Sequence, residues 1–135
     1  MHQGQMKAPK RIEAVFYTTA SKRQPVREFL LSVTPKEDRQ KINADIRTVE
    51  YGWPIGMPTC RPLRNGICEV RTHLTNRIAR ILFYIDSRSK MVLLSGFIKK
   101  TENTPDEELD MAERRQKAHI AAINAQLVAS KKGKA

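Results

Sequence analysis

The chain has 135 residues, of which 40% are hydrophobic, and this is enough for one domain with a modest core, predicted over residues 11–128. Its 25 Lys and Arg against 14 Asp and Glu give a net charge of +11. Such a charge favours a polyanionic partner, foremost nucleic acid, then an acidic protein, then an anionic membrane surface. No apolar run approaches the ~20 residues that span a bilayer, and the N-terminus lacks the apolar core of a signal peptide. We therefore expect a cytoplasmic protein with no membrane partner and with disordered ends at residues 1–10 and 129–135.

The two cysteines, Cys60 and Cys68, form neither a CxxC motif nor a Cys/His spacing typical of a zinc site. In a reducing compartment we expect both to be free thiols. The sequence therefore predicts neither a bound metal nor a cofactor.

The first half of the chain predicts one strand followed by two helices. The strand is rich in β-branched and aromatic residues, and both helices carry apolar side chains at helical spacing. A capping box at residues 34–37, with Pro35 at the first helical position, opens the second helix. The predicted elements are a strand at residues 12–19, a helix at residues 21–33 and a second helix that buries Ile42, Ile46 and Val49 and ends at residues 52–54.

The second half predicts a loop, three strands and a long helix. Several prolines and glycines fall in residues 52–66, which is typical of a loop. A second capping box, at residues 104–107, opens the last helix. The order β-α-α-β-β-β-α predicts an α+β fold with a mainly antiparallel sheet packed by helices. The predicted elements are strands at residues 67–74, 77–85 and 91–99, and a helix with the buried stripe Leu109, Ala112, Ile120 and Ile123.

Two of these strands have one apolar and one charged face. A two-residue hairpin loop at Thr75 and Asn76 would align their apolar faces and place Arg71 directly opposite Arg80. Like charges in that position destabilise a sheet, so an anion such as a phosphodiester between the two guanidinium groups would explain them. Alternatively, Arg71 pairs with Glu69 or with a carboxylate on a helix.

The last predicted strand is apolar on both faces, so we expect it to be covered on both sides. A five-residue loop at residues 86–90 would place Arg80 opposite Gly96, where a glycine leaves room for a long side chain or a ligand. Residues 61 to 100 contain nine basic and only two acidic side chains. The positive charge is therefore concentrated on the sheet and on the loop before it.

Three segments resemble the phage-derived Gp49-like proteins, a group of the RelE/ParE toxin superfamily that includes HigB-type toxins. They are residues 63–71 (LRNGICEVR), 80–84 (RILFY) and 95–105 (SGFIKKTENTP), of which the last is the most specific. The similarity covers roughly residues 12–122. It implies a RelE-like fold, in which two helices lie on one side of a small curved sheet and a third follows the last strand.

The resemblance also implies a function. It suggests the toxin of a type II toxin–antitoxin system that cleaves mRNA on the ribosome and is held in check by a cognate antitoxin, typically a helix-turn-helix protein of the HigA kind. Metal-independent RNA cleavage can use the ribose 2′-OH as nucleophile, and it needs a base, an acid and cations for the developing charge. The candidate catalytic residues are Arg71, Arg80, Lys99, Lys100, His73 and Glu69, and the candidate RNA-contacting residues are Arg61, Arg64, Arg77 and Tyr84.

Each role has a plainer alternative. His73 is the natural base near neutral pH, or else a solvated residue at a strand end. Glu69 acts as a base or, as we prefer, holds Arg71 in place. Tyr84 stacks on a base of the RNA or packs against a helix. Alanine at Arg71 or Arg80 should abolish cleavage with little loss of stability.

Two further residues are expected to be structural: His119 on the surface or in packing of the last helix, and Thr104 at its cap. Two other classes of function stay open. One is a non-catalytic module that binds RNA or the ribosome, and the other is a ParE-like toxin that acts on gyrase.

Overall fold

One mixed sheet of five strands organises the protein, which a computed structural model describes over residues 9–56, 59–100 and 103–133. The strands lie in the order β1-β5-β4-β3-β2, with β1 parallel to β5 and the other neighbours antiparallel. This confirms the α+β class and the mainly antiparallel sheet. The elements are β1 (Glu13–Phe16), α1 (Pro25–Ser32), α2 (Lys36–Gly52), β2 (Cys60–Pro62), β3 (Cys68–Leu74), β4 (Arg77–Ile85), β5 (Lys90–Lys99) and α3 (Asp106–Gly133).

The sheet separates two apolar layers because β3, β4 and β5 direct alternate side chains to opposite faces. Helices α1 and α2 cover one face, and α3 covers part of the other. Burying one large aliphatic side chain fully contributes about 1.5–3 kcal/mol. The helical side chains that are buried on the first face are Val26, Leu30, Ile42, Ile46 and Val49, and those of α3 on the second face are Leu109 and Ala112.

The stretch predicted as a loop at residues 52–66 contains the strand β2, so the predicted element order lacks one strand. β2 pairs with β3 and places Arg61 opposite Glu69. A strand of three residues that ends in Pro62 is too short to show alternation. Cys60 is buried within it, and both cysteines carry free thiols.

Helix α2 begins one residue later than the capping box at residues 34–37 predicts. Pro35 is its N-cap rather than its first helical residue, and no side chain caps the helix. The amide of Asp38 donates to the Pro35 carbonyl at 3.0 Å. The predicted end at residues 52–54 is confirmed, since the helix stops at Gly52.

Helix α3 buries three of its four predicted stripe residues, but Ile120 is 43% exposed. The inward positions advance by three and four residues in turn, so that Gln116 and His119 face the sheet instead. Gln116 donates to the backbone carbonyl of Asn65 at 2.9 Å. The helix reaches Gly133, beyond residue 128, where the domain was predicted to end.

The hairpin between β3 and β4 has the predicted register, with Leu74 opposite Arg77. Ile85 lies opposite Met91, as predicted, but β5 begins at Lys90, so the loop before it has four residues rather than five. A β-bulge between Leu82 and Phe83 then shifts the register of β5 by one residue. Arg80 therefore lies opposite Phe97, and the predicted pairing with Gly96 is wrong.

Gly96 lies under helix α1, where it allows close packing rather than room for a ligand. A Cβ at this position would lie 2.5 Å from Cδ2 of Phe29 and 3.0 Å from Cδ1 of Ile81. We expect Gly96→Ala to lower the free energy of unfolding by about 1–3 kcal/mol, because the core is overpacked. Urea denaturation measures this, and Gly56→Ala is the control because a Cβ there meets no described atom within 4 Å. Equal stability of both variants would contradict the packing role.

Candidate active site

Charged side chains lie on the α3 face of the sheet in three rows that cross the strands. The rows follow from the register, because directly opposite residues share a face. The row farthest from the bulge, called here the outer row, has His73 and Lys99 exposed to solvent. The outer row is His73, Ile78 and Lys99; the arginine row is Arg71, Arg80 and Phe97; the glutamate row is Arg61, Glu69, Leu82 and Ser95.

Glu69 lies between the two arginines that the sequence placed opposite each other. Its Oε1 is 3.5 Å from Nε of Arg71, and its Oε2 is 3.7 Å from Nε of Arg80. The side chains of Glu69 and Arg80 are 0% exposed, and that of Arg71 is 9% exposed. The carboxylate thus offsets the repulsion between two guanidinium groups in a low-dielectric environment.

The structure combines the two sequence-based interpretations of this pair: the arginines are opposite each other, and the anion between them is a carboxylate of the protein. Arg71 does lie opposite Arg80, and Glu69 holds Arg71, as the plainer alternative proposed. Arg80 is buried, with Nη1 donating to the backbone carbonyl of Asn103 at 3.1 Å and the guanidinium 6.0 Å from the ring centre of Phe97. Removing Arg80 would leave a buried carboxylate poorly compensated, so we now expect Arg80→Ala to lower stability, in contrast to the expectation from the sequence.

Thr104 reaches the same cluster, and the sequence did not predict this contact. Its hydroxyl donates to Oε2 of Glu69. Helix α3 begins at Asp106, so Pro105 and not Thr104 stands at the N-cap position that the second capping box assigned to the threonine.

The predicted RNA-contacting arginines are dispersed. Arg64 pairs with Asp110 at 2.6 Å and Glu113 at 3.1 Å on α3. Arg77 lies on the opposite face of the sheet, where it donates to Asp38 of α2 at 2.8 Å. Arg61, half-buried in β2, shares a row with Glu69. At the end of β5, Lys99 and Lys100 are both exposed.

Tyr84 is covered by α3 rather than available for stacking on RNA. It is 5% exposed, and its hydroxyl lies 2.6 Å from Nδ1 of His119. Burial raises the pKa of Tyr84 to about 12. Burial also lowers the pKa of His119, which the charge of Asp86 opposes and that of Arg88 reinforces. His119 is thus a packing residue, one of the two roles that the sequence allowed.

The lowered pKa of His119 predicts a stability that depends on pH. In the unfolded chain this group takes up a proton near its ordinary pKa of 6.5, whereas the folded protein resists protonation. The stability that the folded protein gains from a neutral His119 is fully present above that pH and is lost as the pH falls below it. We expect the drop in unfolding free energy between about pH 7.5 and about pH 5.5 to be smaller in His119→Gln, by urea denaturation. Equal drops in both proteins would contradict this.

Neither a metal site nor a membrane span is evident in the part of the chain that the structure describes. Within residues 9–56, 59–100 and 103–133, no three His, Cys, Asp or Glu side chains come together as metal ligands would. None of the three helices, as far as they are described, has the length and apolar content that crossing a bilayer requires.

Comparison with known proteins places the chain in a family. No curated protein matches it with significant similarity. The family model described as phage derived protein Gp49-like matches residues 29–117, about two-thirds of the 135 residues. The match includes α2 and all of β2, β3, β4 and β5, and therefore every residue of the three rows. The chain therefore belongs to the phage-derived Gp49-like family, which is the family of HigB-type toxins.

Proposed function

We propose that the protein is the toxin of a type II toxin–antitoxin system and cleaves mRNA on the ribosome. The observation that carries the proposal is the arginine row, with Arg71 opposite Arg80 and the exposed His73 and Lys99 in the row beside it. An exposed lysine and histidine beside the guanidinium of Arg71, the more exposed of the two arginines, suit a phosphodiester and a proton transfer. Membership of the Gp49-like family supports the same class of function.

In the proposed reaction the ribose 2′-oxygen attacks the adjacent phosphorus, and the bond from phosphorus to the 5′-oxygen breaks. His73, when neutral, accepts the 2′-hydroxyl proton, since imidazole is an effective base near neutral pH. Lys99 and Arg71 stabilise the negative charge that develops on the phosphate oxygens. Lys100, also exposed, binds the RNA backbone by charge. The 5′-oxygen takes up a proton from solvent or from a protonated side chain.

The two fully buried members of the cluster have a supporting role in this proposal. Arg80 and Glu69 are 0% exposed, so they do not reach RNA in this conformation. They fix the position and orientation of Arg71, whose guanidinium lies closest to solvent. Preorganised charge of this kind is worth more than charge that must rearrange during the reaction. Arg61 lies in the row next to Arg71 and would extend the positive surface for the RNA backbone.

Mapping RNA 5′ ends in growing cells tests the proposal. Inducing the wild-type protein should arrest growth and produce new mRNA ends within codons at the ribosomal A site. Lys41→Ala, at an exposed lysine of α2 on the far layer, should produce the same ends, whereas Lys99→Ala should not. Intact mRNA during arrest would overturn the proposal, and persistent DNA damage would point to gyrase.

The proposed partner is a cognate antitoxin, in keeping with the family. A net charge of +11 favours a partner segment that is acidic. A small helix-turn-helix protein encoded beside this one should abolish growth arrest when the two are produced together. Unrelieved arrest would exclude that neighbour as the antitoxin.

A further inference from the structure

Asn103 and Thr104, just before α3, contact both members of the buried ion pair. The Asn103 carbonyl accepts from Nη1 of Arg80 at 3.1 Å, and the Thr104 hydroxyl donates to Oε2 of Glu69. Asn103 therefore contributes one hydrogen bond to the cation, and Thr104 contributes one to the anion. Because Arg80 and Glu69 are 0% exposed, water does not compete for these bonds.

We propose that Thr104 is a positioning residue for the active site, acting through Glu69 on Arg71. This inference rests on the proposed function, which it extends by one residue. The Glu69 carboxylate has two oxygens, of which Oε1 lies nearer Arg71 and Oε2 nearer Arg80. A carboxylate that accepts from a fixed hydroxyl at Oε2 keeps Oε1 directed at Arg71. Without the hydroxyl, the carboxylate rotates about its terminal torsion, which is soft.

The usual explanation for a threonine at this point of a chain is a helix cap. That explanation does not fit, because α3 begins at Asp106 and its N-cap position is therefore Pro105, one residue after Thr104. The contact with Glu69 also spans 35 residues of sequence. It joins Thr104 to Glu69 of the glutamate row, whose Oε1 lies 3.5 Å from Nε of Arg71.

The test compares Thr104→Val, which keeps the shape and removes the hydroxyl, with Thr104→Ser, which keeps the hydroxyl. Thr48→Val is the matched control, because the Thr48 hydroxyl donates within α2 to Ala44 at 3.0 Å on the far layer. With programmed ribosomes, Thr104→Val should lower kcat by about 10- to 100-fold with KM unchanged, the range expected for a hydrogen bond to a charged group. Thr104→Ser should restore most of the rate.

A second measurement reports on the side chains of the two arginines and does not depend on cleavage activity. In NMR spectra of the unliganded protein, the Nε–Hε signals of Arg71 and Arg80 should shift or broaden in Thr104→Val and keep their wild-type positions in Thr104→Ser. Unchanged signals in Thr104→Val would overturn the positioning role, as would an unchanged kcat or an equal loss in Thr104→Ser. If the wild type cleaves nothing, the proposed function fails and the arginine signals alone decide on Thr104.

Discussion

Replacing Lys99 with alanine is expected to slow cleavage of ribosome-bound mRNA by about 100- to 1,000-fold, the usual loss when one donor to a developing negative charge is removed. Lys99 is exposed at the end of β5, opposite Ile78 and in one row with His73. Its ammonium group can therefore meet a phosphate without any movement of α3. Single-turnover rates with purified protein and programmed ribosomes measure the effect.

Two comparisons separate this effect from loss of folding or of overall charge. An exposed side chain contributes little to stability, so the free energy of unfolding should change by less than about 0.5 kcal/mol in Lys99→Ala. Lys41→Ala removes the same charge from α2 and should cleave at the wild-type rate. Lys99→Arg keeps the charge and should retain a larger part of the activity. A wild-type rate in Lys99→Ala would remove this lysine from the proposed site.

Replacing Glu69 with alanine is expected to destabilise the fold by about 3–5 kcal/mol, the cost of leaving a buried charge without its partner. Its carboxylate is 0% exposed and lies near the guanidinium groups of Arg71 and Arg80. Without it, the two cations face each other across β3 and β4 with no carboxylate between them. Urea denaturation gives the change in unfolding free energy.

A matched ion pair on the surface serves as the control for Glu69. Arg23 and Glu28 pair at 2.5 Å but are largely exposed, so Glu28→Ala should leave stability nearly unchanged. Combining Glu69→Leu with Arg80→Met replaces a buried pair by apolar groups and should recover much of the lost stability, without activity. Similar stability of Glu69→Ala and Glu28→Ala would mean that the buried pair is weakly coupled to folding.

The faces and the register of β3 and β4 could be predicted because two local features determine them. A two-residue loop fixes which residues are opposite, and alternation along both strands fixes the faces. The placement of Arg71 opposite Arg80 followed directly. The plainer role of Glu69 was also predictable, since residues two apart on a strand share a face.

The features that could not be predicted depend on contacts between distant parts of the chain, which leave no local sequence pattern. β5 is apolar on both faces, so nothing in its sequence marks the bulge that moved Gly96 away from Arg80. Thr104 precedes a proline and acidic residues, which fits a helix cap, and no nearby residue signals a bond to Glu69. Ile120 looked like part of a buried stripe, but the inward positions of α3 run through Gln116, His119 and Ile123, so Ile120 points outward and is 43% exposed.

The bulge in β5 reverses which residues of the strand face α3, so the alternation before the bulge differs from the alternation after it. Leu94 packs in the apolar layer beneath α3, and Ser95 donates to Glu108 of α3 at 3.3 Å, so two consecutive side chains face the same way. In an uninterrupted strand every later side chain would point to the other face, so that Phe97 would join the α1 and α2 layer and Lys99 would leave the outer row. The position of this lysine therefore depends on Leu94 being accommodated as an extra residue: deleting Leu94 should leave a regular strand in which Lys99 keeps its face and stays opposite Ile78, whereas straightening the bulge with Leu94 retained would turn Lys99 away from the site.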